Sequence, residues 1–171
     1  MLHHASIMVR LEGFLCPRRL GGAFLQQCHT MDIRVATLAD ARILADLNAD
    51  FNGVQMTPER MAEQMLRCYD VERALIARID GTAVGFACLR LTPWLCYDTL
   101  YAELTELFVR EPFRRRGIAS ALVTHAQGLA RAAGANELRI LTGRDNPAAR
   151  AFYRKLGCAE EDEVLLILHL V

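Results

Sequence analysis

Residues 101–134 constrain the fold more than any other stretch of the chain. They read as an apolar strand, a proline- and arginine-rich loop, and a long helix closed by glycine. Tyr101–Val109 has strand character and Pro112 interrupts it. Ile118–Ala133 then follows at helical spacing until Gly134 supplies a C-cap. A strand that feeds a helix through a loop of small residues aims unsatisfied backbone N–H groups, and the positive end of a helix dipole, at one point. A phosphate or pyrophosphate suits that point. Gly117 and Ala119 carry nothing bulky to keep an anion off the backbone, and Arg114, Arg115 and Arg116 add charge. Taken alone, the loop reads equally well as an arginine run on a solvated surface. It is not a P-loop, since no Gly-Lys-Ser/Thr follows, and it is not a dinucleotide G-x-G-x-x-G turn.

The elements around this segment mix strands and helices without strict alternation. Ile33–Ala36 alternates like a strand, and Thr37 is placed to cap a helix over Asp40–Phe51. Thr57-Pro58-Glu59 opens a second helix with Met61, Met65 and Leu66 on one face. Ala74–Ile79, Asp80-Gly81 and Val84–Leu91 make a hairpin with a tight turn, followed by an apolar, aromatic loop over Pro93–Leu100. Glu137–Thr142 reads as a buried strand, Pro147–Leu156 as a helix stopped by Gly157, and Val164–Leu170 as a final strand. The class is α+β, with one mixed, mostly antiparallel sheet flanked by helices.

Composition excludes several functions. The chain has 171 residues, 53% hydrophobic and 23% charged, which suits a globular protein and excludes a wholly disordered one. Lys+Arg and Asp+Glu both total 20, so there is no overall basic footprint for nucleic acid. No apolar run is long enough to span a membrane. The six cysteines show no CxxC spacing and no nearby histidine pattern, so no metal is expected. They read as reduced thiols of a cytoplasmic protein. Residues 1–30 lack a clear period and hold Pro17 and Gly21-Gly22; they read as an extension outside the fold, with the domain over 31–171.

A second motif sharpens the first. Asn146-Pro147-Ala148-Ala149-Arg150-Ala151-Phe152-Tyr153-Arg154-Lys155-Leu156-Gly157 alone is a capped short helix. Together, the two stretches resemble the GNAT superfamily of acyl-CoA-dependent N-acyltransferases. Arg114–Ala119 is similar to its Arg/Gln-x-x-Gly-x-Gly/Ala loop, and Asn146–Gly157 to its Asn-x-x-Ala-x-x-Phe-Tyr-x-x-x-Gly helix. The likeness covers 31–171 in layout and is sharp over 102–158. Ala119 stands where glycine is commoner, and Cys158 where an aromatic is usual.

The resemblance implies a sheet whose fourth and fifth strands, here 101–109 and 137–142, splay apart to admit the pantetheine arm of acetyl-CoA. It implies that backbone groups of Leu107, Phe108 and Val109 pair with that arm. The loop Arg114, Arg115, Arg116, Gly117, Ile118, Ala119 and Ser120 would wrap the pyrophosphate. Asn146 would bond near the pantetheine or fix its loop, and Tyr153 would stand beside the sulfur as general acid. An amine would attack the thioester directly, with no acyl-enzyme. An alkyl ammonium, with a pKa of about 10.4, must first lose a proton, and a carboxylate can take it.

Glu103 and Glu106 are both candidates for that base. Strict alternation puts them on opposite faces, whereas a bulge would change the parity. The loop Trp94-Leu95-Cys96-Tyr97-Asp98 offers aromatic surface and a carboxylate beside the expected acceptor site. Met56, Met61 and Met65 could line an acceptor pocket or pack in the core. His125 and His169 read as structural. The expected activity is N-acetylation of a primary amine on a small molecule. A protein or peptide acetyltransferase and a non-catalytic acyl-CoA sensor are the alternatives, and a homodimer is compatible with the family's habits.

Overall fold

The computed structural model describes residues 9–15, 28–162 and 164–170, the side chains of 9–15 and 28 excepted. Six strands, β1 (Val9–Leu15), β2 (Cys28–Val35), β3 (Glu72–Ile79), β4 (Thr82–Pro93), β5 (Leu100–Val109) and β6 (Arg139–Ile140), lie side by side in chain order. All neighbours are antiparallel except β5 and β6, which are parallel. The mixed α+β sheet expected from the sequence is therefore present. β3 and β4 form the hairpin at Asp80-Gly81, where both residues take positive φ, as a two-residue turn between right-twisted strands requires.

Alternation along the strands separates two faces. Ile76, Phe86 and Phe108 pack with Leu44 and Leu47 of helix α1 (Ala41–Asn52). Met61 and Met65 of helix α2 (Pro58–Arg67) pack against the same cluster, so those methionines serve the core. The residues between, Leu75, Ala77, Ala87 and Leu89, point the other way and are fully buried. Helix α3 (Ile118–Ala132) covers that side with Ile118, Leu122, Val123 and Ala126. Each such Leu or Ile contributes about 1.5–3 kcal/mol by leaving water. His125 is buried on α3, and burial lowers its pKa, in keeping with a packing role.

α1 is anchored by charge. Asp40, ending a 3₁₀ turn at Leu38–Asp40, accepts two bonds from Arg34 at 2.7 Å, one from Arg78 at 2.9 Å and one from the Thr37 amide at 2.9 Å. The chain divides into two units, the first ending at Ile140 and the second running from Leu141. The second unit holds helix α4 (Pro147–Lys155). There Glu160 accepts bonds from Arg150 and Arg154, and these hold its carboxyl at about 2. No described helix is long and apolar enough to cross a membrane.

Three expectations need correction. Val9–Leu15, expected outside the fold, lies along β2 as an edge strand, because Val9-Arg10-Leu11-Glu12 carries the alternation that the neighbouring Pro17 and glycines obscured. The strand expected over 137–142 is only Arg139–Ile140 and is half-buried, because the chain leaves the sheet after two pairs. Val164–Leu170 has no regular structure and lies exposed; no strand among the described residues pairs with it, and local apolarity alone does not make a strand.

Candidate functional site

The strand β5 carries a bulge. Cys88 of β4 pairs with Glu106, Leu89 with Leu104 and Arg90 with Glu103, which leaves Thr105 as the extra residue. Cys88 and Arg90 are two apart on an unbulged stretch of β4 and share a face, so Glu103 and Glu106 share one too. It is the face of Phe86 and Phe108, towards α1 and α2. Strict alternation would have separated the two carboxylates.

Their circumstances differ. Glu103 is buried and accepts a bond from Arg90 at 3.2 Å. Arg90 also reaches Glu72 at 3.5 Å, and Glu72 accepts the Thr105 hydroxyl at 2.6 Å. Glu106 is half-buried and has no hydrogen-bond or ion-pair partner among the described residues. Burial, reinforced by the like charge of Glu72, pushes its carboxyl above the ordinary range. Burial likewise raises the Cys88 thiol, which argues against a thiolate there. Of the two candidates, only Glu106 is placed to accept a proton without breaking an ion pair.

β5 also has an open edge. β6 covers it only at Glu103 and Leu104, so Thr105–Val109 has no strand on that side among the described residues. This is the splay expected from the resemblance. Leu107, Phe108 and Val109 sit on this stretch, with Arg114 Nε donating to the Val109 carbonyl at 2.9 Å.

The chain then turns through Arg115 at φ 62° and Gly117 at φ 78° into α3. The left-handed conformation at Gly117 costs little without a Cβ. The amides of Arg115, Arg116, Gly117, Ile118, Ala119 and Ser120 meet no acceptor among the described residues. They form a cluster of donors at a helix N-terminus, reinforced by its dipole.

The arginines divide their work. Arg110 is tied to Asp50 at 2.7 Å and to the Ala83 carbonyl at 2.9 Å, and Arg114 pins the loop. Arg116 lies over the Phe113 ring at 5.4 Å, and Arg115 is exposed without a side-chain partner among the described residues. Beyond the far end of β5, Trp94 stands edge-on to Tyr97 and Tyr101, with centroids at 5.6 and 5.4 Å.

The first unit thus brings together Glu103, Glu106, the edge Leu107–Val109 and the loop Arg114–Ser120. Asn146 and Tyr153 belong to the second unit. Asn146 Oδ1 accepts from the Ala149 amide at 3.1 Å and caps α4, so its acceptor oxygen fixes the helix start. Tyr153 is half-buried against Phe152, with centroids at 5.1 Å; burial, then Cys158, raise its phenol above the ordinary value. Sequence reasoning missed Glu72, Arg90 and Thr105. Starting the strand at Ala74 excluded Glu72, and nothing in the alternation marked Thr105 as a bulge. Among the described residues no group of side chains is arranged to hold a metal ion.

An α+β sheet with an open strand edge leading into a donor-rich helix start has the layout that the resemblance to acyltransferases implies. Residues 41–158 match the acetyltransferase (GNAT) family, and the chain belongs to it; it is an acyltransferase. An acetyltransferase of Yersinia enterocolitica serotype O:8 / biotype 1B is 30% identical over 143 residues, 82% of this chain and 96% of its own length. An uncharacterized N-acetyltransferase of Methanocaldococcus jannaschii is 31% identical over 104 residues, 60% of this chain; the match spans 46% of that relative.

Among solved structures, the ribosomal-protein-alanine N-acetyltransferase of Brucella melitensis biovar Abortus 2308 is similar at 25% identity and TM-score 0.69, over 81% of this chain and 99% of that one. An aminoglycoside acetyltransferase from an uncultured soil metagenomic sample is similar at 25% identity and TM-score 0.70, over 82% and 98%.

Proposed function

We propose that the chain transfers an acetyl group from acetyl-CoA to a primary amine of a small molecule, by direct attack within a ternary complex. The observation that carries this reading is the open edge Thr105–Val109, which runs into the unsatisfied amides of Arg115–Ser120 and starts beside the uncommitted Glu106. In this reading the edge pairs with the pantetheine amides and the loop holds the pyrophosphate, with Arg115 and Arg116 adding charge.

The chemistry follows from those roles. Glu106 accepts a proton from the ammonium, directly or through water, and frees the nitrogen lone pair. The lone pair adds to the thioester carbonyl, forming the C–N bond and a tetrahedral oxyanion that a backbone N–H on β5 stabilises. The nitrogen's surplus proton passes to solvent, and the oxyanion collapses as the C–S bond breaks. Tyr153 returns a proton to the departing thiolate, and its raised pKa keeps the phenol protonated for that task. Glu103 stays paired with Arg90 and shapes the acceptor side. The four described free thiols, Cys68, Cys88, Cys96 and Cys158, are in keeping with a cytoplasmic setting.

Thiol release from acetyl-CoA over a panel of neamine, spermidine, tyramine and an alanine-started peptide tests the reading. Amine-dependent release with a small-molecule member is the expected result. Release with the peptide alone would move the acceptor to proteins, and tight acetyl-CoA binding without release would leave a sensor.

A further inference from the structure

Glu72 has no part in the mechanism above, yet it joins the polar side chains of this face from β3. Its register partner on β4 is Arg90, which itself faces Glu103 on β5. Its carboxylate spans β4 to the bulge, where the Thr105 hydroxyl donates to it at 2.6 Å. The Cys88 carbonyl, at 3.4 Å from the same hydroxyl, is the poorer acceptor. The bulge residue is thereby tied across an intervening strand.

We infer that Glu72 is a positioning residue for Glu106: held by Thr105 and sharing Arg90 with Glu103, it leaves Glu106 as the uncommitted carboxylate of this face. The inference rests on the reading of Glu106 as the base and deepens it. One guanidinium faces two carboxylates, so the trio carries a net negative charge, and Arg90 makes no ion pair with Glu106 among the described residues. Without Glu72, Arg90 would be free to turn towards Glu106 and neutralise it. Without the Thr105 bond, Glu72 would settle wholly on Arg90 and withdraw from Glu106.

The titratable groups gathered here are Glu72 on β3, Cys88 and Arg90 on β4, Glu103 on β5, and Cys68 at the end of α2. Cys88 is uncharged, since burial raises its thiol. Glu72 is the charge that acts on Glu106, and it acts in the direction that keeps a proton there.

The test is a carboxyl titration of the full chain, labelled with ¹³C-glutamate and followed by NMR, with Glu106→Gln assigning the resonance. In the wild type Glu106 titrates above the ordinary glutamate range. Glu72→Gln keeps an oxygen for the Thr105 hydroxyl, so the bulge persists, and the Glu106 midpoint moves down. Thr105→Val moves it down by less, and it carries the test alone should Glu72→Gln not fold. A Glu106 midpoint unchanged in a folded variant overturns the inference. This readout needs no acceptor, so it stands apart from the base assignment. Wild-type thiol release by Glu106→Gln would remove the base and leave the titration to decide the coupling.

Discussion

Glu103 and Glu106 stand on one face of β5 although three positions separate them, because Thr105 is looped out of the ladder between them. One carboxylate is committed to Arg90 and the other is not. Neutralising each should therefore have different consequences. Glu106→Gln is expected to lower turnover by about 10²–10⁴-fold, the range for loss of a positioned general base. Acetyl-CoA affinity, measured by calorimetry, should stay within about twofold, since the cosubstrate contacts proposed above use backbone groups and the loop rather than the Glu106 side chain. Glu103→Gln should lose less turnover and more stability, because it strips Arg90 of a buried partner. Equal turnover losses would mean that both carboxylates share the base role.

The same asymmetry predicts a pH profile. A base must be ionised, and the Glu106 carboxyl lies above the ordinary value of about 4.3. Activity should fall as pH drops through that raised midpoint, earlier than an unperturbed glutamate would allow. The linkage sign for stability runs the other way. A carboxyl whose folded pKa is raised costs stability as pH rises from the unfolded value through the folded one. At neutral pH the full cost is present, so Glu106→Gln should melt at or above the wild-type temperature while losing activity. A lower melting temperature at pH 7 would contradict the absence of a partner for Glu106.

Asp40 has the opposite sign. Its bond to Arg34, aided by Thr37, holds its carboxyl well below the usual range, so its contribution is complete above pH about 4. That contribution is lost only as pH falls through the much lower folded value. Asp40→Ala leaves Arg34 and Arg78 without their acceptor and is expected to cost about 3–5 kcal/mol, the range for breaking a buried ion pair. Urea unfolding at pH 5 and pH 7 should show the same loss at both. A loss that vanished at pH 5 would mean that Asp40 titrates as an ordinary surface acid.

What the sequence made legible follows from the range of the interactions. The strand–loop–helix at 101–134 and the cap at Asn146 are local devices, written in spacing and in Pro, Gly and Asn. The bulge at Thr105 is not local. It depends on which β4 residue faces which β5 residue, and the alternation of Tyr-Ala-Glu-Leu-Thr-Glu is equally consistent with a regular strand. The role of Glu72 is more remote still, since it requires β3 and β5 to meet across β4. The strand expected at 164–170 failed for the converse reason: local apolarity suggested pairing that no tertiary neighbour supplies among the described residues.

Gly85 offers a test of how closely β4 and β5 must approach where the open edge ends. A Cβ at this position would lie 2.5 Å from the Phe108 carbonyl oxygen and 3.2 Å from the Val109 Cα. Both are backbone atoms, so no side-chain rotation relieves the clash. Gly85→Ala must push β5 outwards at Phe108 and Val109, two of the three residues proposed to pair with the pantetheine. The strain should cost about 1–3 kcal/mol, which for a chain of this size lowers the melting temperature by about 2–4 °C per kcal/mol. The KM for acetyl-CoA should rise more than the KM for the amine, because the displaced edge is the one proposed to pair with the cosubstrate. Gly128→Ala is the control. A Cβ at Gly128 in α3 meets nothing within 4 Å, and alanine in a helix interior is worth about 0.5–1 kcal/mol over glycine. That variant should be more stable with unchanged kinetics. A Gly85→Ala enzyme with wild-type KM for acetyl-CoA would separate this edge from cosubstrate binding.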